Sequence, residues 1–223
     1  MARSPEDNTR FASNMIAGMK DRVDSVEIIT PYSFRVLTKS HLPCQVGVVS
    51  AAQVGADDVN RVLMADPCVE FIANIPKASI WKGAAIQILE ERDIAFGPMK
   101  GLMSGICSLS DDWSINQYVH PETHYFQQIL TQHQNFQRFV RVTDLVYEVH
   151  RKNGEPLLIA GMNEYELSAV AIRTAIASHG HVSIIFATNP NGKPTLEAHT
   201  AAESMGIELY HERRAFYHRV HKP

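Results

Sequence analysis

"LVYEVHRKNGEPLLIAGM" (residues 145–162) holds two runs rich in β-branched and aromatic residues around a polar KNGEP turn, the composition of a β-hairpin. The residues that follow, "NEYELSAVAIRTAIASHG" (163–180), read as a helix. Asn163 stands as its cap, Glu166 lies three residues on in capping-box spacing, and Gly180 falls just past its end. Apolar residues cover most of that helix's circumference, which predicts extensive burial. "HVSIIFATN" (181–189) is then a continuous apolar run of the kind expected for a strand covered on both faces. A PNGKP turn leads to Thr195 as the N-cap of a further helix, closed by Gly206, and "IELY" (207–210) is the last strand.

The first half has the same order of elements. "SVEIIT", "SFRVLTK" and "CQVGVVS" predict a β-meander, "ADDVNRVLMA" a helix stopped at Asp66-Pro67, and "VEFIANI" a strand. A helix from Ile80 to Glu91, with Ser79 as its cap, and the short strand "IAF" complete it. A shift of about 113 residues aligns Val36 with Val149, Lys39 with Lys152, Pro43 with Pro156 and Ile94 with Ile207. An amphipathic helix precedes each half, over 6–20 and 122–140. The expectation is therefore an α/β protein built by tandem duplication of an α-β-β-β-α-β-α-β unit, with mixed sheets flanked by helices. Residues 1–97 form the first repeat, 98–121 a connector and 122–223 the second repeat. The competing arrangement is one continuous mixed sheet whose halves resemble each other only because α/β chains alternate in this way.

Composition narrows the function classes. With 223 residues and 45% hydrophobic content the chain can bury a full core, and a net charge of −3 gives no general basic surface for phosphate backbones. Three cysteines, Cys44, Cys68 and Cys107, form no CxxC pair and fit a reducing cytoplasm. The N-terminal residues lack the apolar core of a signal peptide, and no stretch approaches a membrane span, so a soluble cytoplasmic protein with no membrane partner is expected.

The segment "SIIFATNPNGKPTLEAHTAAESMGIELYHERRAF" (183–216) is similar to the closing part of Mrr-type members of the restriction-endonuclease-like, PD-(D/E)XK superfamily. In both, a strand ends in a polar turn before an alanine-rich helix and a short strand. The order of elements in each half also resembles that superfamily's core. The resemblance implies carboxylates on adjacent strands that hold a divalent cation, and a lysine two residues after Asp, Glu or Gln. The residues two before the eight lysines are Gly18, Leu37, Ile75, Ile80, Pro98, His150, Asn191 and Val220, so that motif is absent. Within the resemblance, the expectation is a noncatalytic binding or accessory protein, in a nucleic-acid-directed defence or mobile-element system. One alternative is a divergent metal-dependent nuclease or other hydrolase, using Asp144, Glu164 and Glu166 with Mg or Mn. Another is a self-associating structural protein. Outside the nuclease alternative no cofactor is expected.

Three groups of residues are candidates for chemistry. Asn163, Tyr165, Asn189, Asn191, Lys193 and Thr195 fall at the carboxyl ends of two strands, where open α/β sheets commonly bind ligands, and Lys193 and helix amides could hold an anion there. Turn and cap chemistry explains several of the same residues. Arg213, Arg214, Phe216, Tyr217 and Arg219 interleave bases with rings, a pattern that can grip single-stranded nucleic acid, or else form a final amphipathic element. His120 and His124 have a zinc-compatible spacing, but no cysteine accompanies them and no metal site is expected. Gly97, Gly101 and Gly105 recur at four-residue spacing, which predicts close packing or a flexible joint. Nucleic acid, a protein partner and a second copy of the chain all remain as partners.

Overall fold

The computed structural model describes residues 3–222. The chain divides into two compact units, at His120 and Pro121.

The first unit opens with α1 (Pro5–Ala17) and the meander β1 (Val23–Thr30), β2 (Ser33–Thr38) and β3 (Pro43–Val49). Next come β4 (Gln53–Val54), α2 (Ala56–Ala65), β5 (Phe71–Asn74), β6 (Ile80–Trp81), α3 (Gly83–Glu91), β7 (Ala95–Pro98) and α4 (Met99–Ser108). The second unit runs α5 (Pro121–Thr131), β8 (Phe136–Arg141), β9 (Val146–Arg151), β10 (Leu157–Met162), β11 (Glu166–Leu167), α6 (Ala169–His179), β12 (Ile184–Ala187), β13 (Lys193–Pro194), α7 (Leu196–Ser204), β14 (Glu208–Tyr210) and α8 (Arg213–His221).

The sheets have orders β1-β2-β3-β5-β7 and β14-β12-β10-β9-β8, each with an antiparallel meander joined to parallel strands. Their registers coincide. Val46 pairs with Phe71 as Ile159 pairs with Ile184, Phe71 with Ala95 as Ile184 with Glu208, and Gln53 with Ile80 as Glu166 with Lys193, a shift of 113 residues in every case. The meanders keep the same shift, Glu27 facing Arg35 as Val140 faces Glu148. A single insertion between strands would have broken this correspondence, so two similar sheet units fit a tandem duplication.

Each unit is three-layered because alternate side chains of a strand point to opposite faces. In the second unit Ile159, Ile184 and Phe186 meet α5 and α8 in one core. Ala160, Ile185 and Ala187 meet α6 and α7 in the other. In the first unit α1 and α4 cover one face and α2 and α3 the opposite one. Cys44 lies buried in β3, and burial pushes its thiol up to about 12, while Cys68 and Cys107 are exposed.

Four expectations need correction. The helix expected over 122–140 ends at Thr131, and Phe136–Arg141 is a strand paired with β9. The helix expected from Asn163 begins only at Ala169. Ser168 caps it, its side chain accepting from Ala171 N, because residues 166–167 first pair with Lys193–Pro194 and carry Leu167 into the core. That helix buries only Ile172 and Ala175 and leaves Val170 70% exposed. In the first unit Ile80–Trp81 is likewise a strand, so Ser79 is not a helix cap.

The segment expected as a connector folds onto its own unit. Met99, Leu102, Ile106 and Ile115 are buried in the first unit's core, as Phe216 and Val220 of α8 are in the second's. The glycine spacing serves a ring rather than a joint. A Cβ on Gly101 would lie 2.7 Å from the Tyr118 hydroxyl, and Gly97 and Gly105 border the same ring.

Candidate functional site

Beyond the carboxyl ends of β10 and β12, the loops 163–168 and 188–195 are drawn together by the two-residue ladder of β11 and β13. Lys193 N donates to Tyr165 O at 3.2 Å and Thr195 N to Leu167 O at 3.0 Å. Gly192 permits this approach, since a Cβ there would stand 2.6 Å from the carbonyl oxygens of Glu164 and Tyr165. An open hollow of about 540 Å³ results, lined by Tyr165, Glu166, Asn191, Lys193, Pro194, Thr195 and Glu197.

Four of the six ligand candidates, Tyr165, Asn191, Lys193 and Thr195, therefore share one hollow. Thr195 also caps α7, its hydroxyl accepting from Ala198 N at 3.1 Å. Asn189 spends its side-chain oxygen on the turn, accepting from Asn191 N at 3.0 Å. Asn163 is exposed outside the lining. Glu166, freed from the capping-box role, faces the hollow. With Glu197 in the lining and exposed Glu164 beside it, carboxylates outnumber the single lysine, so this place does not suit a phosphate group.

Large apolar side chains are exposed on the segments that line it and on those that continue directly from them. Tyr165 is 73% exposed, Val170 in the first turn of α6 70%, and Leu196 opening α7 78%. The first unit is an internal control, because the same backbone positions there carry Ala52, Asp57 and Gly83. Burying a leucine or valine is worth about 2 kcal/mol relative to leaving it exposed, and the fold works without these three, as the first unit demonstrates. Val170 escaped sequence reasoning because it sits in a helix that reads as buried, and Leu196 because it directly follows the cap at Thr195 that reads as turn chemistry. The signal that could have found them was the mismatch with Asp57 and Gly83 under the 113-residue shift.

The catalytic candidates do not converge. Asp144 lies in the β8–β9 turn, its Oδ1 3.9 Å from His179 Nδ1, while Thr143 Oγ1 is 2.9 Å from the same nitrogen and Arg141 Nη2 donates to Asp144 O at 3.4 Å. Thr143 is 2% exposed and also accepts from the amides of Leu145 and Val146, so this cluster ties the turn to the end of α6. Tyr32 N donates to Thr30 Oγ1 in the matching turn of the first unit. Among the described residues no three His, Cys, Asp or Glu side chains are grouped to hold a metal ion, so Asp144, Glu164 and Glu166 do not form a metal-ligating set.

The C-terminal candidates are mostly consumed by packing. Phe216 is fully buried, and the Tyr217 hydroxyl donates to Ile129 O at 2.9 Å, which withdraws these rings from base stacking. Arg219 is paired with Glu208 at 2.7 Å, and Arg213 donates to the Tyr125 hydroxyl at 2.7 Å. Arg214 is exposed. The amphipathic reading accounts for this segment, because α8 must cover the sheet face shared with α5.

His133 packs against Phe136, Tyr217 and His221 beside α8. Burial, and then the neighbouring His221, hold its imidazole below the usual value of 6.5. A lowered native pKa means the unfolded chain takes the proton first. The stability that the neutral ring contributes is present above about pH 6.5 and drains as the pH falls toward the lowered value. Denaturation of the full chain is expected to show the second unit losing stability as the pH falls below about 6.5, and His133→Phe should flatten that slope.

No helix among the described residues is long and apolar enough to cross a membrane. A scan against models of protein families, a search of characterised proteins and a search of solved structures each returned no match to this chain.

Proposed function

We propose that this is a noncatalytic binding or accessory protein whose second unit docks a protein partner through the patch of Tyr165, Val170 and Leu196. The observation that carries this reading is the contrast between repeats. On superposable registers, the second unit exposes three large apolar side chains where the first has Ala52, Asp57 and Gly83. Exposed apolar side chains beside a hollow lined by Glu166, Asn191, Lys193 and Glu197 combine apolar area with polar groups, as protein interfaces do. An exposed tyrosine supplies rigid contact area of the kind that dominates such interfaces. Nucleic acid is less well served, since the hollow is rich in carboxylates and the basic residues of α8 are largely engaged within the unit.

The test grafts the first repeat's residues onto the second, as Tyr165→Ala, Val170→Asp and Leu196→Gly together. A photo-crosslinking residue placed at Asn191 in the host cell is expected to yield a discrete protein adduct that the grafted triple variant loses. The same residue at Ala78, the matching first-unit position, is expected to yield none. Fluorescence anisotropy with single- and double-stranded DNA and RNA, with and without Mg²⁺ or Mn²⁺, supplies the opposing outcome. Tight nucleic-acid binding that the triple variant loses would overturn the protein-partner reading, and metal-dependent cleavage would overturn the noncatalytic one.

A further inference from the structure

Four other exposed apolar side chains lie on or beside just two strands, one strand in each repeat. Ile28 and Ile29 of β1 are 43% and 39% exposed, and Val140 of β8 and Val142 just past it 48% and 38%. Both strands are the last in their sheets, β1 paired only with β2 and β8 only with β9. Each therefore presents a row of backbone donors and acceptors to a further strand. Irregular register blunts their ends, between Val23 and Ser25, between Ile28 and Thr30, and between Phe136 and Arg138. Ser25–Ile28 and Arg138–Arg141 remain as regular runs.

The two edges differ in charge. The exposed charges of β1 are Asp24 and Glu27, whereas the exposed charge of β8 is Arg138, Arg141 being buried against its own unit. We propose that copies of this chain associate edge to edge, β1 of one copy pairing antiparallel with β8 of another in the register that sets Glu27 opposite Arg138. That register also places Val26 opposite Phe139 and Ser25 opposite Val140, so an apolar pair flanks the ion pair. Pairing β1 with β1 would bring Asp24 and Glu27 of both copies to one seam with no exposed base on either strand. Pairing β8 with β8 would bring the exposed Arg138 of both copies to one seam with no exposed acid on either strand. The contact is heterologous, so a copy bound through its β1 still offers its own β8. The surface is separate from the Tyr165 patch, and the inference does not rest on the function proposed for that patch.

Sedimentation velocity of the full chain over a wide concentration range tests this. The weight-average mass is expected to rise with concentration. Glu27→Arg alone and Arg138→Glu alone should each weaken association about tenfold, because each sets like charges face to face. Mixing the two variants should restore association, since each then offers the other an opposite charge, and a variant that merely misfolded could not be rescued in this way. A chain that is monomeric throughout would overturn the proposal. So would association that survives either single reversal, or single variants that do not recover on mixing.

Discussion

Replacing Gly161 with valine is expected to destabilise the second unit by about 3 kcal/mol, at the upper end of overpacking costs. Gly161 lies in β10 directly under the Phe126 ring of α5. A Cβ there would stand 2.5 Å from Phe126 Cδ1, 2.7 Å from Cγ and 2.9 Å from Cε1, well inside contact distance. The ring has little room to yield. Phe126 is 3% exposed, meets Tyr147 edge-on at 5.2 Å and stacks on Phe186 at 6.4 Å. In the first unit the corresponding strand position is Val48, and α1 buries Ala12 and Ser13 instead of a ring. The repeats thus fill the same layer by opposite choices of strand and helix volume. By thermal unfolding of the full chain, the second unit's transition should fall by roughly 15 °C, given a few degrees per kcal/mol for a unit of this size. Adding Phe126→Ala to Gly161→Val should recover part of that loss. Equal destabilisation by the double variant would mean that the clash is not the cause.

Arg151→Met is expected to cost a similar amount, about 3 kcal/mol, for a different reason. Arg151 is 8% exposed, and its guanidinium joins two parts of the unit that are distant in sequence. Its Nε and Nη2 donate to Glu155 O at 3.0 and 2.7 Å within the β9–β10 turn. Its Nη1 donates to Lys222 O at 2.6 Å and Val220 O at 3.4 Å, capping the end of α8. The last carbonyls of a helix have no partner within it, so methionine would strip Lys222 O and Glu155 O of their charged donor and leave Val220 O to Asn135 alone, while filling much the same volume. Asn135 Nδ2 also donates to Val220 O at 2.9 Å and keeps α8 loosely attached. Denaturant titration should therefore show a lowered midpoint. Arg151→Lys is expected to recover little, because an ammonium lacks the fork that serves both sites. A wild-type midpoint in the methionine variant would show that α8 is held by its apolar face alone.

Much of the architecture was legible in the chain itself. The order of elements and the 113-residue spacing follow from local chemistry, because turns such as KNGEP, the cap at Thr195 and continuous runs such as SIIFA act within a few residues of themselves. Four of the residues lining the hollow were also found this way, since turn residues past a strand mark the carboxyl end of a sheet. What local pattern could not decide was any choice that depended on a distant strand. "FQRFVR" reads as more helix after α5, and only pairing with β9 makes it an edge strand. Glu166 has capping-box spacing, and only the ladder to Lys193 denies it that role and turns it into the hollow. Phe216 and Tyr217 have the composition of a stacking platform, and only the need to cover Phe186 and α5 sends them inward. Side-chain type and spacing act at short range and so fix the repeat. Exposure depends on what packs above each position, so tertiary structure alone decided that Tyr165, Val170 and Leu196 face water while the aromatic rings of α8 pack against the unit's own core.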